Sequence, residues 1–202
     1  RADVMVHGYY DNLEATDSLG FQLRLVMNDN LVMPLYGKDT KAVLMKSCPF
    51  DINNFTGYCM LTSMFLYEYS ITGRYQRLIY TEKHPTEENT IICRNWLNDG
   101  YDVTMKFMAD DPMKPFVVMD EGQVATDEGS FFGTVHGDDK IQVRTSAYYD
   151  SVYYPCGSYL YVWTEMYVEN LGVPVGTVGH FYNIMEWVSD EEADRLKKEE
   201  GM

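Results

Sequence analysis

Between Tyr159 and Glu169 the chain reads Tyr-Leu-Tyr-Val-Trp-Thr-Glu-Met-Tyr-Val-Glu, so rings and carboxylates alternate with apolar residues. On a β-strand, successive side chains point to opposite faces. One face then carries Leu160, Val162, Thr164, Met166 and Val168, a core face. The other carries Tyr159, Tyr161, Trp163, Glu165, Tyr167 and Glu169. Rings mixed with carboxylates make a poor core and a good recognition surface. Flat rings stack on apolar ligands and sugars and attract cations through their quadrupole, while carboxylates accept sugar hydroxyls or pair with Lys and Arg. Tyr148, Tyr149, Tyr153 and Tyr154 precede this strand and extend the surface. The competing assignment packs this face on a second sheet, with tyrosine hydroxyls reaching solvent. Glu165 and Glu169 lie about 13 Å apart on a strand. A two-carboxylate glycosidase needs about 5 to 9.5 Å, so a hydrolase of this kind must take its second carboxylate from elsewhere.

A second constellation is electrostatic. From Ala109 to Asp139 there are eight acids and one base, Lys114. The acids come as doublets: Asp110-Asp111, Asp120-Glu121, Asp127-Glu128 and Asp138-Asp139. Each doublet lies near Gly or Pro and reads as a turn. Clustered acidic turns attract a basic protein and speed its association. They also suit Ca²⁺, which takes six to eight oxygens, although no Asp-x-Asp-x-Asp-Gly loop is present and no cofactor is expected. Solvated turns that aid solubility are the plain alternative. His136, next to Asp138 and Asp139 in a Gly-flanked turn, is the one histidine placed to act with them.

Other chemistry is missing from the pattern. There is no Gly-x-Ser-x-Gly elbow, P-loop, dinucleotide fingerprint or His-Glu-x-x-His. Lys and Arg number 16 against 31 Asp and Glu, a net charge of −15, which repels phosphates and excludes a general nucleic-acid binder. Apolar residues make up 46% of the 202 residues, enough for a core and too many for a disordered chain. No apolar run is long enough for a membrane span.

The four cysteines, Cys48, Cys59, Cys93 and Cys156, form no CxxC pair and do not combine with histidines at zinc spacing. An even count without metal spacing points to two disulfides, with Cys48–Cys59 and Cys93–Cys156 the favoured connectivity, and to a secreted chain or an oxidising lumen. Asn54-Phe-Thr, a glycosylation sequon, falls inside the first of these loops.

The elements that position these residues follow a period of two. Strands are predicted at Val4–Tyr10, Phe21–Met27, Leu31–Leu35, Lys41–Lys46, Tyr58–Ile71, Tyr75–Glu82, Thr90–Leu97 and Tyr101–Met108. Further strands are predicted at Phe116–Met119, Phe131–Val135, Lys140–Tyr149, Tyr159–Glu169 and Val175–Trp187. Asn28-Asp29-Asn30 reads as a hairpin turn between the second and third. Tyr58–Ile71 also fits a buried helix; crowding by aromatic residues favours the strand. Strands at intervals of about ten residues predict a mainly β fold, a single antiparallel sandwich or barrel. The domain is expected over 1–188, and 189–202 forms a charged surface helix of the same domain, capped by Ser189 with Glu192 three residues on.

Three functions compete on this reading. The first is a secreted, acidic, non-enzymatic binding protein that engages a basic partner through its acidic turns and aromatic–carboxylate face. The second is a barrel holding a small lipid, pigment or glycan. The third is a carboxylate-dependent glycoside hydrolase.

Overall fold

The structure is a computed structural model and describes residues 9, 18–24, 39–45, 48–111, 114–169 and 176–201. The chain divides into two compact units, Arg1–Cys48 and Pro49–Met202. In the first unit β1 (Ser18–Arg24) pairs antiparallel with β2 (Asp39–Met45), Ser18 opposite Met45 and Arg24 opposite Asp39. The expected hairpin return, Leu31–Leu35, lies outside the described residues, as does Val4–Tyr10 apart from Tyr9.

The second unit is an eight-stranded antiparallel barrel with extra strands and a short C-terminal helix. Its staves are β3 (Gly57–Ser63), β4 (Gln76–Lys83), β5 (Thr90–Arg94), β6 (Val103–Met108) and β7 (Phe116–Val118). The ring continues through β10 (Val152–Tyr154), β11 (Tyr159–Val168) and β12 (Gly176–Trp187). Each pairs with its neighbour in chain order, and β12 returns to β3, with Asn183 opposite Ser63 and Trp187 opposite Cys59. Of the two predicted sheet architectures, this is the barrel. A hairpin of β8 (Gln123–Asp127) and β9 (Lys140–Thr145) is inserted between β7 and β10 and attaches to β11.

Alternation sets the inside and outside of the ring. Val103, Met105 and Phe107 of β6 are buried, while Lys106 is exposed. Leu160, Val162, Thr164, Met166 and Val168 of β11 are all buried, as the sequence pattern requires. One end of the ring is closed by the 3-10 turn Ile52–Phe55. Phe55 packs 4.6 Å from Phe107 and 5.2 Å from Trp187, centroid to centroid. The Trp187 indole donates to Thr81 Oγ1 at 2.8 Å, and that hydroxyl donates to the Phe55 carbonyl at 3.0 Å. At the other end α1 (Met64–Tyr69) places Phe65 against Phe181 and against Phe131 of α2 (Glu128–Phe132).

Two strand expectations become helices, each for its own reason. Tyr58–Ile71 splits into β3 and α1, because β3 pairs with β4 only as far as Thr62 and the apolar run must then turn across the barrel end. Phe131, expected at the start of a strand, lies in α2, where the Asp127 carboxylate caps the first turn by accepting from the Ser130 backbone N–H at 2.7 Å. The C-terminal helix α3 (Asp190–Glu200) starts at Ser189, whose hydroxyl accepts from Glu192 N–H at 3.2 Å. It packs on β3 and β4 with Ala193 and Leu196 buried.

The cysteines correct the predicted connectivity. Cys48 and Cys156 are disulfide-bonded, and Cys59 and Cys93 are free thiols buried in the core. Cys59 stands opposite Ile79 on β4, and Cys93 stands opposite Thr81 on the same strand. A whole strand therefore separates them, about 10 Å between backbones, beyond the reach of a disulfide. Burial pushes both thiols well up from their ordinary pKa, so neither is poised to react. One bridge suffices for the compartment argument: the Cys48–Cys156 bond is consistent with a secreted protein or an oxidising compartment.

Denaturing alkylation without reductant should add two groups, at Cys59 and Cys93, and prior reduction should raise this to four, as read by intact mass. Val162→Asp should cost on the order of 4 kcal/mol or abolish folding, since it buries an unpaired charge. Trp163→Ala should cost much less. Urea unfolding of both variants checks the assigned faces.

Candidate functional site

The outer wall of β10, β11 and β12 is aromatic. Along β11, Tyr159, Tyr161 and Trp163 face outward and are half-buried. Tyr154 of β10, opposite Tyr159, stacks on it with ring centroids 4.5 Å apart and planes 17° apart. Tyr182 of β12 stacks on Tyr161 at 5.4 Å and 12° and touches Trp163 at 5.2 Å. Tyr149 stacks on Trp163 at 4.3 Å and 27°. Tyr148 meets His180 edge-on at 5.1 Å. Tyr148, Tyr149 and Tyr154 are 77%, 49% and 41% exposed. Desolvation, then the neighbouring Tyr161, pushes the Tyr182 phenol up to about 12, so it stays neutral at ordinary pH.

A fork in the sheet builds this surface. The first three residues of β11 pair with β10, and Thr164–Tyr167 pair with β9. Trp163 sits where the two partners diverge. Its backbone is satisfied by the connecting segment: its carbonyl accepts from Ser146 N–H at 2.9 Å, and its N–H donates to Ser151 Oγ at 3.0 Å. The residues between those two serines, including Tyr148 and Tyr149, are pushed outward over Trp163 and His180. The Ser146 hydroxyl bonds His180 Nδ1 at 3.1 Å and accepts from Tyr148 N–H at 3.2 Å, which fixes the loop's root.

Beyond the fork the predicted site residues are engaged internally. Glu165 is buried and accepts from Arg144 Nε at 2.9 Å, and Arg144 also pairs with Glu121 at 2.6 Å. The Arg144 guanidinium lies 4.9 Å over the Tyr167 ring. Tyr167 is 3% exposed, and its hydroxyl accepts from Gly122 N–H. The β8–β9 hairpin and the turn that precedes it cover this half of β11, so Tyr167 is not the accessible anchor the alternation predicts. Glu169 accepts from Gln142 Nε2 at 3.1 Å.

Most of the acidic doublets serve local structure as well. Asp127 caps α2 and also accepts from the Ser130 hydroxyl and Asn98. Glu128 is 1% exposed and accepts from both the backbone N–H and Nδ1 of His136. Asp138 pairs with Lys140 at 3.4 Å, and Asp139 accepts from Gly129 N–H at 2.9 Å. Asp120 is exposed, and Asp110 and Asp111 lie on the surface before β7. Among the described residues no group of three or more His, Cys, Asp or Glu is arranged to hold a metal ion. Among them no helix is long and apolar enough to cross a membrane.

The wall contains residues that the sequence reading missed. His180 and Tyr182 alternate with the buried Phe181 and Asn183 on the predicted strand Val175–Trp187, so period two was the available signal. Arg144, Ser146 and Ser151 carried none, because their roles arise from the fork.

This chain belongs to the family described as Domain of unknown function (DUF4984), which matches residues 35–199 and so spans the whole barrel and its wall. No curated protein and no solved structure matches the chain.

The Arg144 hydrogen bond holds the Glu165 carboxyl below its ordinary value of 4.5. A carboxylate lowered by folding stabilises the native state above its unfolded pKa, and that stability is lost as pH falls through the lowered value. Glu165→Gln should therefore be less stable than wild type near neutrality, with the gap closing in acid. Urea midpoints measured from about pH 7 down to about pH 3 test this.

Proposed function

We propose that this is a secreted, acidic, non-enzymatic binding protein whose aromatic wall engages a basic protein partner. The observation that carries the reading is the stack of Tyr149 on Trp163 and of Tyr154 on Tyr159, exposed on one face and braced from behind by Tyr161 and Tyr182. Rings held by their neighbours lose little further freedom on binding, and Tyr and Trp dominate interface hot spots. Exposed carboxylates flank them: Asp150 follows Tyr149, and Glu186 stands opposite Tyr159. Lysine and arginine side chains suit such a face, since they meet ring quadrupoles and carboxylates together.

The acidic turns contribute as a field. Asp127, Glu128 and Asp139 are tied into the α2 region, so attraction of a basic partner rests on the net charge of −15 and on exposed acids such as Asp120. Such a field raises association more than it slows dissociation. A lipid or pigment inside the barrel is the weaker reading, because Phe55, Leu61, Met105, Phe107, Tyr153 and Met185 fill the ring. A glycosidase is weaker too, with Glu165 committed to Arg144. Asn54 is exposed on its 3-10 turn, as a glycan acceptor must be.

A fluorescent decalysine peptide tests the reading by stopped-flow kinetics. It should bind the wild type, and association should fall as salt rises. Joint Tyr149→Ala and Trp163→Ala substitution should speed dissociation about 5-fold or more, equivalent to about 1 kcal/mol. Asp120→Asn with Asp150→Asn and Glu186→Gln should mainly slow association. Lack of binding at low salt, or dissociation unchanged by loss of the rings, defeats the proposal.

A further inference from the structure

Away from the aromatic wall, a cleft of about 720 Å³ opens where the barrel seam is incomplete. β4 pairs with β3 along Gln76–Thr81, but its pairing with β5 begins only at Tyr80, opposite Arg94. In an antiparallel ladder, successive residues turn their backbone groups to opposite edges. Two bonds fix which way β4 faces. Ser63 N–H donates to the Tyr75 carbonyl at 2.9 Å, and His84 N–H, one residue past β4, donates to the Thr90 carbonyl at 2.8 Å. Odd-numbered residues therefore bond β3, and even-numbered residues face the β5 side. Gln76 and Leu78 direct their N–H and C=O groups to that side beyond the point where the β5 ladder ends.

The chain that follows β5 is committed elsewhere. Continued register would bring Trp96 opposite Leu78. Asn95 is instead left-handed, φ 54°, and the chain swings away. Trp96 N–H donates to the Tyr101 carbonyl at 2.7 Å, and the Asn98 carbonyl accepts from Tyr101 N–H at 3.3 Å. Among the described residues no other group bonds the backbone N–H and C=O of Gln76 or Leu78 on this edge. Arg77 spans the gap, donating from Nε to the Asn95 carbonyl at 3.0 Å and pairing with Asp99. Apolar surface flanks the edge, with half-buried Leu78 on the outer face of β4 and Leu66, Leu97 and Phe131 toward the core.

We propose that this cleft binds an extended, uncharged peptide segment of another protein as an added strand on β4, bonded through Gln76 and Leu78, with an apolar side chain against Leu97 and Phe131. Unpaired amides and carbonyls along a strand edge are met by the amides and carbonyls of another extended chain. The charges of the cleft call for no counter-charge on that chain: Arg77 pairs with Asp99, Lys197 pairs with Asp194 at 3.5 Å, and Arg74 donates to the Gly201 carbonyl at 3.1 Å. The open edge covers only Gln76–Ile79 and is stopped by β5 at Tyr80, so it takes a short segment rather than an open-ended stack of strands. The site shares no residue with the aromatic wall and stands or falls separately from the partner-binding reading.

Isotope-labelled protein titrated with the neutral peptide acetyl-Thr-Val-Thr-Val-Thr-amide, followed by amide chemical shifts and hydrogen exchange, tests this. In the free protein the Gln76 and Leu78 amides should exchange at least about 10-fold faster than those of Arg77 and Ile79, which donate to β3. Saturating peptide should slow Gln76 and Leu78 at least about 10-fold and leave Arg77 and Ile79 unchanged. A peptide N-methylated at alternate residues keeps one donating edge and should bind within about 3-fold of the parent. Full N-methylation removes every donor while adding apolar surface, and should weaken binding at least about 10-fold. No saturable binding, shifts centred elsewhere, Leu78 as protected as Ile79 in the free protein, or equal affinity for the fully methylated peptide overturns the proposal. Protection of Leu78 that rises with protein concentration in the absence of peptide assigns the edge to a second copy of the chain and overturns it as well.

Discussion

The backbone groups of a strand inside a closed sheet need partners on both edges, and β11 is where this barrel meets that demand by the least direct route. One edge is paired along its full length by β12. The other edge has no single partner long enough. β10 offers three residues and closes the ring, and β9 supplies the rest by reaching in from an inserted hairpin. The gap between them falls at Trp163, where Ser146 and Ser151 provide the missing hydrogen bonds. Orphaned backbone groups in such a place are costly, so the detour that carries Tyr148 and Tyr149 is anchored at both ends. The recognition surface and the closure of the fold thus share the same few contacts.

The same fork divides the strand by accessibility. Before it, outward side chains have only the short β10 beside them and remain partly open to solvent. After it, the hairpin covers them, and Glu165 and Tyr167 pass from surface to interior without leaving the outward face. Arginine makes this tolerable. Arg144 holds Glu121 and Glu165 together, and Arg94 and Arg195 each likewise bridge two carboxylates. In a chain with half as many bases as acids, a planar fork that binds two anions goes further than an ammonium.

The sequence made the barrel legible wherever a strand has one buried and one solvated face. Val103–Met108, Tyr159–Val168 and Gly176–Trp187 were found this way, and every β11 residue assigned to the core is buried, though Glu165 and Tyr167 of the other face are buried with them. β8 and β10 were missed although β5 and β7, of the same lengths, were found: β8 ends on the Asp127-Glu128 doublet that reads as a turn, and β10 holds Tyr153 and Tyr154, which read as an extension of the ring surface. Tyr58–Ile71 failed for a different reason: an apolar run carries no sign of where its strand ladder stops, and that point is fixed by β4. Acidic doublets announced turns, and Asp120-Glu121 and Asp138-Asp139 lie at turns, while Asp127-Glu128 is the junction of β8 and α2. Whether a turn carboxylate faces solvent or caps a nearby helix depends on which amides lie within reach, as Asp127 and Asp139 illustrate.

The buried thiol of Cys59 has a consequence for how the chain matures. In the unfolded polypeptide Cys48 lies eleven residues from Cys59 and 108 from its native partner, Cys156. Loop-closure entropy alone favours the shorter bridge by about 2 kcal/mol. Oxidation that outruns folding therefore traps the wrong pair, and that pair locks β3 out of the barrel interior. The native bond is secured either by a collapse fast enough to bury Cys59 first or by an isomerase that reopens the mistake. Production in an oxidising compartment should accordingly be limited by thiol–disulfide shuffling, and the yield of correctly bridged protein should follow the supply of isomerase rather than the supply of oxidant.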